Sequence, residues 1–319
     1  MSEKFKIITL DTVESTELSW LLYSFIAFGK VTIIEGDPGC GKTTYALRLI
    51  AHLSRGQLLT YEGIQEGLEP INIIYQTAED GLSDTIVPRL EEAGANRSKI
   101  HVIDETEYSL SMLDKRIEPA IRETNAKMLV LDPLQAYISS NVDIHRANET
   151  REVLKQIGSV AERTGCAIIL IRHLAKSSGG KAIYRGLGSI DFVGAARSVL
   201  LIGEDPNNQD IRAIVQTKNN LASKGDSMAF RINENGFEWI GAYNITADEI
   251  QSGLSTGDKH DQAESLIKKL LNENGKSVPA AKMIIEAKAI GISKRTMENV
   301  KQELGIKSVR IGDSWHWQL

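Results

Sequence analysis

The chain has 319 residues, 42% of them hydrophobic, with a formal net charge of −5. That is enough apolar material for one large domain plus a small one, and it excludes an overall polybasic nucleic-acid binder. Its two cysteines, Cys40 and Cys166, exclude a disulfide framework and a cysteine metal cage and fit a reducing compartment.

The start, MSEKFKIITLDTVEST, lacks the basic then apolar pattern of a signal peptide, and WLLYSFIAF is too short to span a bilayer. A cytoplasmic location without membrane partners is therefore expected. From VTIIE onward, short β-rich runs alternate with longer amphipathic stretches. The order is VTIIE, a helix over 42–55, INIIYQ, a helix over 81–94, IHVID, a helix over 112–125, MLVLD, a helix from about 146 to 164, and CAIILIR. Runs that are apolar on both faces and separated by helices predict an α/β fold with a mainly parallel sheet flanked by helices.

After residue 197 come SVLLIG, IRAIVQTK, SMAFRIN and GFEWIG with turn-rich joins, which read as antiparallel additions to the sheet edge. The small, polar QSGLSTGD, 251–258, reads as a linker. It divides a core over 1–250 from a unit over 259–319. That unit holds 11 Lys/Arg against 7 Asp/Glu, whereas the preceding residues hold 26 against 35. A basic module beside an acidic one fits contact with nucleic acid by the former.

Within the small unit, 261–274 and 279–289 have helical patterns, and Ser293 is placed to cap a third helix whose apolar stripe is Met297, Val300 and Leu304. Lys294, Arg295 and Asn299 open that helix and are candidates for a DNA major groove. KSVRIGDSWHWQL closes the chain as a hairpin, in which Trp315 and Trp317 are expected to pack. Three helices and a hairpin predict a small C-terminal winged helix-turn-helix-like domain, a module that binds DNA or docks on protein.

The chemistry concentrates at GDPGCGKTT, which fits G-x-x-x-x-G-K-[ST] between a strand and a helix. Gly36, Asp37, Pro38, Gly39, Cys40, Gly41, Lys42, Thr43 and Thr44 form the candidate phosphate cradle. Its backbone amides and the helix start would face the β-phosphate, Lys42 the β- and γ-oxygens, and Thr43 a Mg²⁺ ion. ATP and Mg²⁺ are thus the expected cofactors. Asp132, ending MLVLDP, is the candidate second Mg²⁺ residue. In YQTAED, Glu79 is the candidate base for the attacking water and Asp80 a candidate cap of the following helix.

In this order EGDPGCGKTT, YQTAED, LVLDPL, RHLAK and RGLGSIDFVGAARSVLLI resemble RecA-like P-loop ATPases, specifically the branch of the plasmid replicative helicase RepA and the AAA_25 proteins of phages and mobile elements. The resemblance covers roughly residues 15–240. It implies that His173 lies near the γ-phosphate and senses nucleotide state. It also implies that the chain forms a homo-oligomer, with a hexameric ring as one form. Arg197, then Lys218, would reach a neighbour's γ-phosphate as a finger. This chain has KNNLA where the family often has arginine after KN. Lys176, Lys181 and Arg185 lie in a basic stretch suited to DNA phosphates. The expected function is a Mg²⁺-dependent ATPase acting on DNA, as a helicase or loader in mobile-element replication; the alternative is a nucleotide-switched DNA-binding or regulatory protein with slow hydrolysis.

Overall fold

The structure is a computed structural model that describes residues 7–139, 147–174, 189–252, 256–273, 277–289, 292–312 and 314–318. Its largest sheet has nine strands: β1 (Val31–Gly36), β2 (Asn72–Thr77), β3 (Ile100–His101), β4 (Ala126–Asp132), β5 (Ala167–His173), β6 (Ser198–Asp205), β7 (Asn208–Asn219), β8 (Met228–Asn233) and β9 (Gly236–Ala242). Their order is β9-β8-β7-β6-β1-β5-β4-β2-β3. The six strands from β6 to β3 in that order pair in parallel, while β8 and β9 pair antiparallel. Parallel neighbours need crossovers, which helices supply here. These include α1 (Lys42–Leu53), α2 (Val87–Glu92), α3 (Ile117–Thr124), α4 (Ala147–Thr164) and α5 (Ser189–Ala195).

The apolar runs are continuous because the sheet is covered on both faces. Consecutive residues enter opposite cores: Ile34, Ile73, Val130 and Ile169 join one cluster with Tyr45, Leu49 and Phe230. Their neighbours Ile33, Ile74, Leu129 and Ile168 join the other with Ile117 and Ile157. The period-two alternation of a strand explains this division.

Three local expectations change. The helix expected over 81–94 begins as a π turn, Leu82–Ile86, before α2. Of IHVID only Ile100–His101 pairs. Two small two-stranded sheets, Trp20–Leu22 with Ile26–Ala27 and Leu58–Thr60 with Gly63–Gln65, were not expected.

The chain divides into two compact units, one containing residues up to Gly203 with Arg212–Asn244, the other Glu204–Ile211 with Ile245–Leu319. Helix α6 (Ala247–Ser252) and the start of α7 (Thr256–Glu273) occupy much of the stretch expected as a linker. Then follow α8 (Ala280–Ala289) and α9 (Lys294–Glu303). Lys307–Ile311 and Ser314–Gln318 form the terminal hairpin, and Ser277–Pro279 adds a third strand beside Ser314–Gln318. Ser293 Oγ accepts from Thr296 N at 3.1 Å, capping α9. Met297 and Val300 enter a core with Ile267, Leu271, Met283 and Trp317.

The two tryptophans differ. Trp317 is 1% exposed in that core, with the Lys301 ammonium 5.1 Å from its ring centroid, whereas Trp315 is 58% exposed and does not pack as expected. Trp315 shares a strand face with Trp317, but Ser277–Pro279 pairs with residues 316–318 and does not reach it. Among the described residues no helix is long and apolar enough to cross a membrane.

Candidate nucleotide site

Strand β1 ends at Gly36, and the chain turns through 37–41 into α1. The turn depends on its glycines. A Cβ on Gly36 would lie 2.1 Å from the Ile202 carbonyl oxygen and 2.7 Å from Cys40 Sγ, so no side chain fits. Gly39 and Gly41 have φ of 79° and 93°, the left-handed region. Among the described residues no side chain caps α1, which leaves its first-turn amides available to an anion.

Lys42 is 3% exposed, and its ammonium donates to the carbonyls of Gly36 at 2.9 Å and Asp37 at 2.7 Å. The loop thus curls around its own lysine. Asp37, Pro38 and Gly39 are exposed on its outer side, and Thr44 is half-buried in the first turn of α1. Cys40 donates its thiol to the Ile202 carbonyl at 3.1 Å, and burial raises its pKa. Burial pushes the Cys166 thiol up to about 12. Both thiols are held protonated and unreactive.

Thr43 Oγ1 donates to Asp132 Oδ2 at 2.7 Å. Tyr75 donates its phenol to the same oxygen at 3.1 Å. The register that places Thr77 opposite Asp132 puts Tyr75, two residues back on the same strand face, within reach. Tyr75 is a site residue that the sequence analysis missed, since in INIIYQ it reads only as one more strand former.

The adjacent hydroxyl and carboxylate are hard oxygen donors at the mouth of an anion-binding loop, and they fit Mg²⁺, which takes one or two protein ligands and completes its shell with water and phosphate oxygens. Among the described residues no three His, Cys, Asp or Glu side chains group as a metal cage, and Mg²⁺ of this kind requires none.

Glu79 and His173 complete this edge. His173 lies opposite Gly36 in the β1–β5 register, and its Nε2 is 3.8 Å from Glu79 Oε2. The Glu79 side chain is 62% exposed and that of His173 34%, while His173 Nδ1 is buried with no hydrogen-bond partner among the described residues. A solvent-facing carboxylate beside a half-buried imidazole can order a water. Asp80 does not cap a helix: Gly81 is the residue before the π turn, and the Asp80 carboxylate pairs with Arg89 at 3.2 Å.

Behind the loop, Glu35 and Arg172 sit opposite each other in the same register and form an ion pair, their side chains 1% and 2% exposed. Arg172 Nε and Nη2 both donate to Glu35 Oε2, and the guanidinium lies 5.8 Å from the Phe192 ring of α5.

The two expected fingers lie at the other end of the strands. The Arg197 backbone N–H donates to the carbonyl of Val31, the first residue of β1, and its side chain is exposed. Lys218 does not extend outward. Its ammonium donates to the carbonyls of Val193, Gly194 and Ala196 at 2.6, 2.9 and 2.8 Å. Lys176, Lys181 and Arg185 fall outside the described residues. Lys294 and Asn299 are exposed on α9, and the Arg295 side chain is outside the described set.

Burial raises the Asp132 pKa, with the hydrogen bonds from Thr43 and Tyr75 and the charge of His173 opposing and the charge of Glu79 adding. A carboxyl whose folded pKa exceeds its unfolded value contributes stability that is complete below the ordinary carboxylate range and is lost as pH rises through the raised value. In Mg²⁺-free protein at neutral pH, Asp132 is therefore a net burden. Asp132→Asn keeps an oxygen that can accept both hydrogen bonds, so it should raise unfolding stability at pH 8 by about 1 kcal/mol and flatten the acid limb. Thermal unfolding from pH 4 to 8 checks this, and a lower midpoint than the parent at pH 8 would show that the hydrogen bonds to the charged form outweigh its desolvation.

A parallel sheet with a phosphate loop after a central strand, a threonine–aspartate pair beside it and antiparallel strands at one edge defines a P-loop fold of the RecA-like kind. The sequence profile of the AAA_25 family, an AAA domain, matches residues 3–179, and the chain belongs to that family. It is similar to the DNA repair protein RadA of Bacillus subtilis (strain 168), 24% identical over 242 residues that cover 74% of this chain and 46% of that protein. RadA of Escherichia coli (strain K12) is 22% identical over 236 residues, 71% of this chain and 45% of that protein. The chain thus spans less than half the length of these relatives.

Among solved structures, one ATPase domain aligns with a TM-score of 0.50 at 14% identity, covering 66% of this chain and 84% of that one. A KaiC-like protein of Pyrococcus horikoshii OT3 aligns with a TM-score of 0.48 at 19% identity, over 69% and 95% of the two chains.

Proposed function

We propose that this protein is a Mg²⁺-dependent ATPase that acts on DNA, as a helicase or loader in the replication of a phage, plasmid or other mobile element. The observation that carries the ATPase reading is the Thr43–Asp132 contact at 2.7 Å beside the phosphate loop, with Glu79 and His173 on the same edge. Bound Mg²⁺ would neutralise charge on the β- and γ-phosphate oxygens. Thr43 and Asp132 would hold it, with Tyr75 orienting the carboxylate. Lys42 neutralises the phosphates, the amides from Gly39 to Thr44 cradle them, and Glu79 accepts the proton of the attacking water. His173 hydrogen-bonds the γ-phosphate and reports its loss. Arg197 completes the site of the neighbouring subunit in a homo-oligomer.

The DNA reading is supported by the similarity to proteins named for DNA repair and by the basic C-terminal unit. Its helices α7 to α9 and three-stranded sheet suit a winged helix-turn-helix, in which Lys294, Arg295 and Asn299 would enter the major groove. Lys176, Lys181 and Arg185 would contact single-strand phosphates.

Steady-state ATPase of the full chain with and without single-stranded DNA tests the function. About tenfold or greater stimulation is expected of a DNA-acting motor, whose binding energy for DNA is used in the hydrolytic cycle. Tight DNA binding with unchanged turnover would favour a nucleotide-switched binder instead. In the same protein, Lys294→Glu with Arg295→Glu should weaken duplex binding and reduce the slope of log affinity against log salt by about 2, because two cations beside the duplex no longer displace counterions. An unchanged slope would remove α9 from the interface.

A further inference from the structure

Lys218 lies on β7, next to β6 in the sheet, and its three ammonium N–H groups match three carbonyls, those of Val193, Gly194 and Ala196. These belong to the last turn of α5 and the residue after it. The last carbonyls of a helix have no partner within it, and a cation there also meets the negative end of the helix dipole. Val193 and Ala196 are buried, so water is a poor substitute.

Two residues of β7 and Asn220, just after the strand, continue the attachment. Gln216 donates to Ser198 Oγ at 2.9 Å, Thr217 Oγ1 to the Val199 carbonyl at 3.3 Å, and the Asn220 N–H to the Arg197 carbonyl at 2.9 Å. With its N–H on Val31 as well, the Arg197 backbone is fixed on both sides. Its guanidinium makes no side-chain hydrogen bond or ion pair among the described residues.

We propose that Lys218 is a positioning residue that clamps the end of α5 and so presents Arg197, and is not itself a finger. The proposal rests on the reading that Arg197 acts on a neighbour's nucleotide, and it reassigns the second of the two cations that the resemblance implied. An ammonium with all three donors committed inside its own subunit has none left for a phosphate. Burial lowers the Lys218 pKa, with the Arg197 charge adding; the two cations are close enough to feel one another, yet only one points outward.

The test uses full-length protein with Arg197→Ala, Lys218→Ala, Lys218→Gln and the Arg197→Ala/Lys218→Ala pair. Lys218→Ala should lower turnover by about 10²-fold, the scale of a displacement near 1 Å of a catalytic group, with fluorescent-nucleotide affinity unchanged. The pair should be no slower than Arg197→Ala alone, because Lys218 acts only through Arg197. Lys218→Gln, a neutral donor able to reach two carbonyls, should retain more turnover than Lys218→Ala, which a charge-dependent finger would not allow. Amides of 194–198 should exchange with deuterium faster in Lys218→Ala without nucleotide.

Multiplying losses in the pair, equal loss in Gln and Ala, and unchanged exchange would overturn the proposal in favour of a second finger. Parent turnover in Arg197→Ala would instead overturn the reading of Arg197, while the exchange rates would still decide whether Lys218 is a clamp.

Discussion

Glu79→Gln protein is expected to bind ATP with parent affinity and to turn it over about 10²- to 10⁴-fold more slowly, the usual contribution of a general base. The Glu79 side chain is mostly exposed and lies 3.8 Å from the His173 imidazole, so exchanging its carboxylate for an amide leaves the phosphate loop, Lys42 and the Thr43–Asp132 contact untouched. Lys42→Ala should show the opposite division. It removes the cation from the phosphates and also leaves the Gly36 and Asp37 carbonyls without their buried donor, so both charge and loop shape are lost together, and affinity falls before turnover can be measured. Equilibrium binding of a fluorescent ATP analogue alongside steady-state phosphate release separates the two. Parent turnover in Glu79→Gln would exclude Glu79 as the base, and Asp80, held by Arg89, would be the next carboxylate to exchange.

Arg197→Ala as a pure population should bind ATP normally and lose about 10³- to 10⁵-fold in turnover, the range of arginine fingers. The geometry excludes action on its own subunit's nucleotide. Arg197 is bonded to Val31 at one end of β1, and the phosphate loop begins after Gly36 at the other. At about 3.3 Å per residue the two are roughly 16 Å apart, well beyond an arginine side chain. Mixing then gives a distinctive result. Arg197→Ala subunits combined with Glu79→Gln subunits should regain activity, since some interfaces pair an intact base with an intact finger. A flat mixing curve would reject a site shared between subunits.

The phosphate loop, Asp132 and the two-faced sheet were legible in the sequence because each is a local pattern: a spacing, a strand end, an apolar run. What was not legible depends on register between distant segments. Tyr75 joins the site only because β2 and β4 align Thr77 with Asp132. Lys218 stood out as a cation in KNN, but its three carbonyls belong to a helix end 22 to 25 residues earlier. Asp80 had the right residue type for a cap, yet Gly81 begins the turn and Arg89 takes the carboxylate. Trp315 and Trp317 share a strand face, yet only Trp317 is buried, and the strand that flanks it, Ser277–Pro279, comes from a distant segment. The strand at Ile100–His101 is short because, two residues on, the Ile103 N–H and carbonyl bond the Gln76 side chain instead of the backbone of β2.

The Glu35–Arg172 pair has a consequence for how this sequence can drift. Deleting one partner leaves an unpaired charge in the dry interior directly behind the phosphate loop, at a cost of about 3–5 kcal/mol, whereas exchanging both for apolar residues of similar volume is often neutral or better. Each single step therefore loses stability although the double step need not. Related chains should carry both residues or neither, and one-at-a-time mutational scans will score these two positions as intolerant even if the pair as a whole is dispensable.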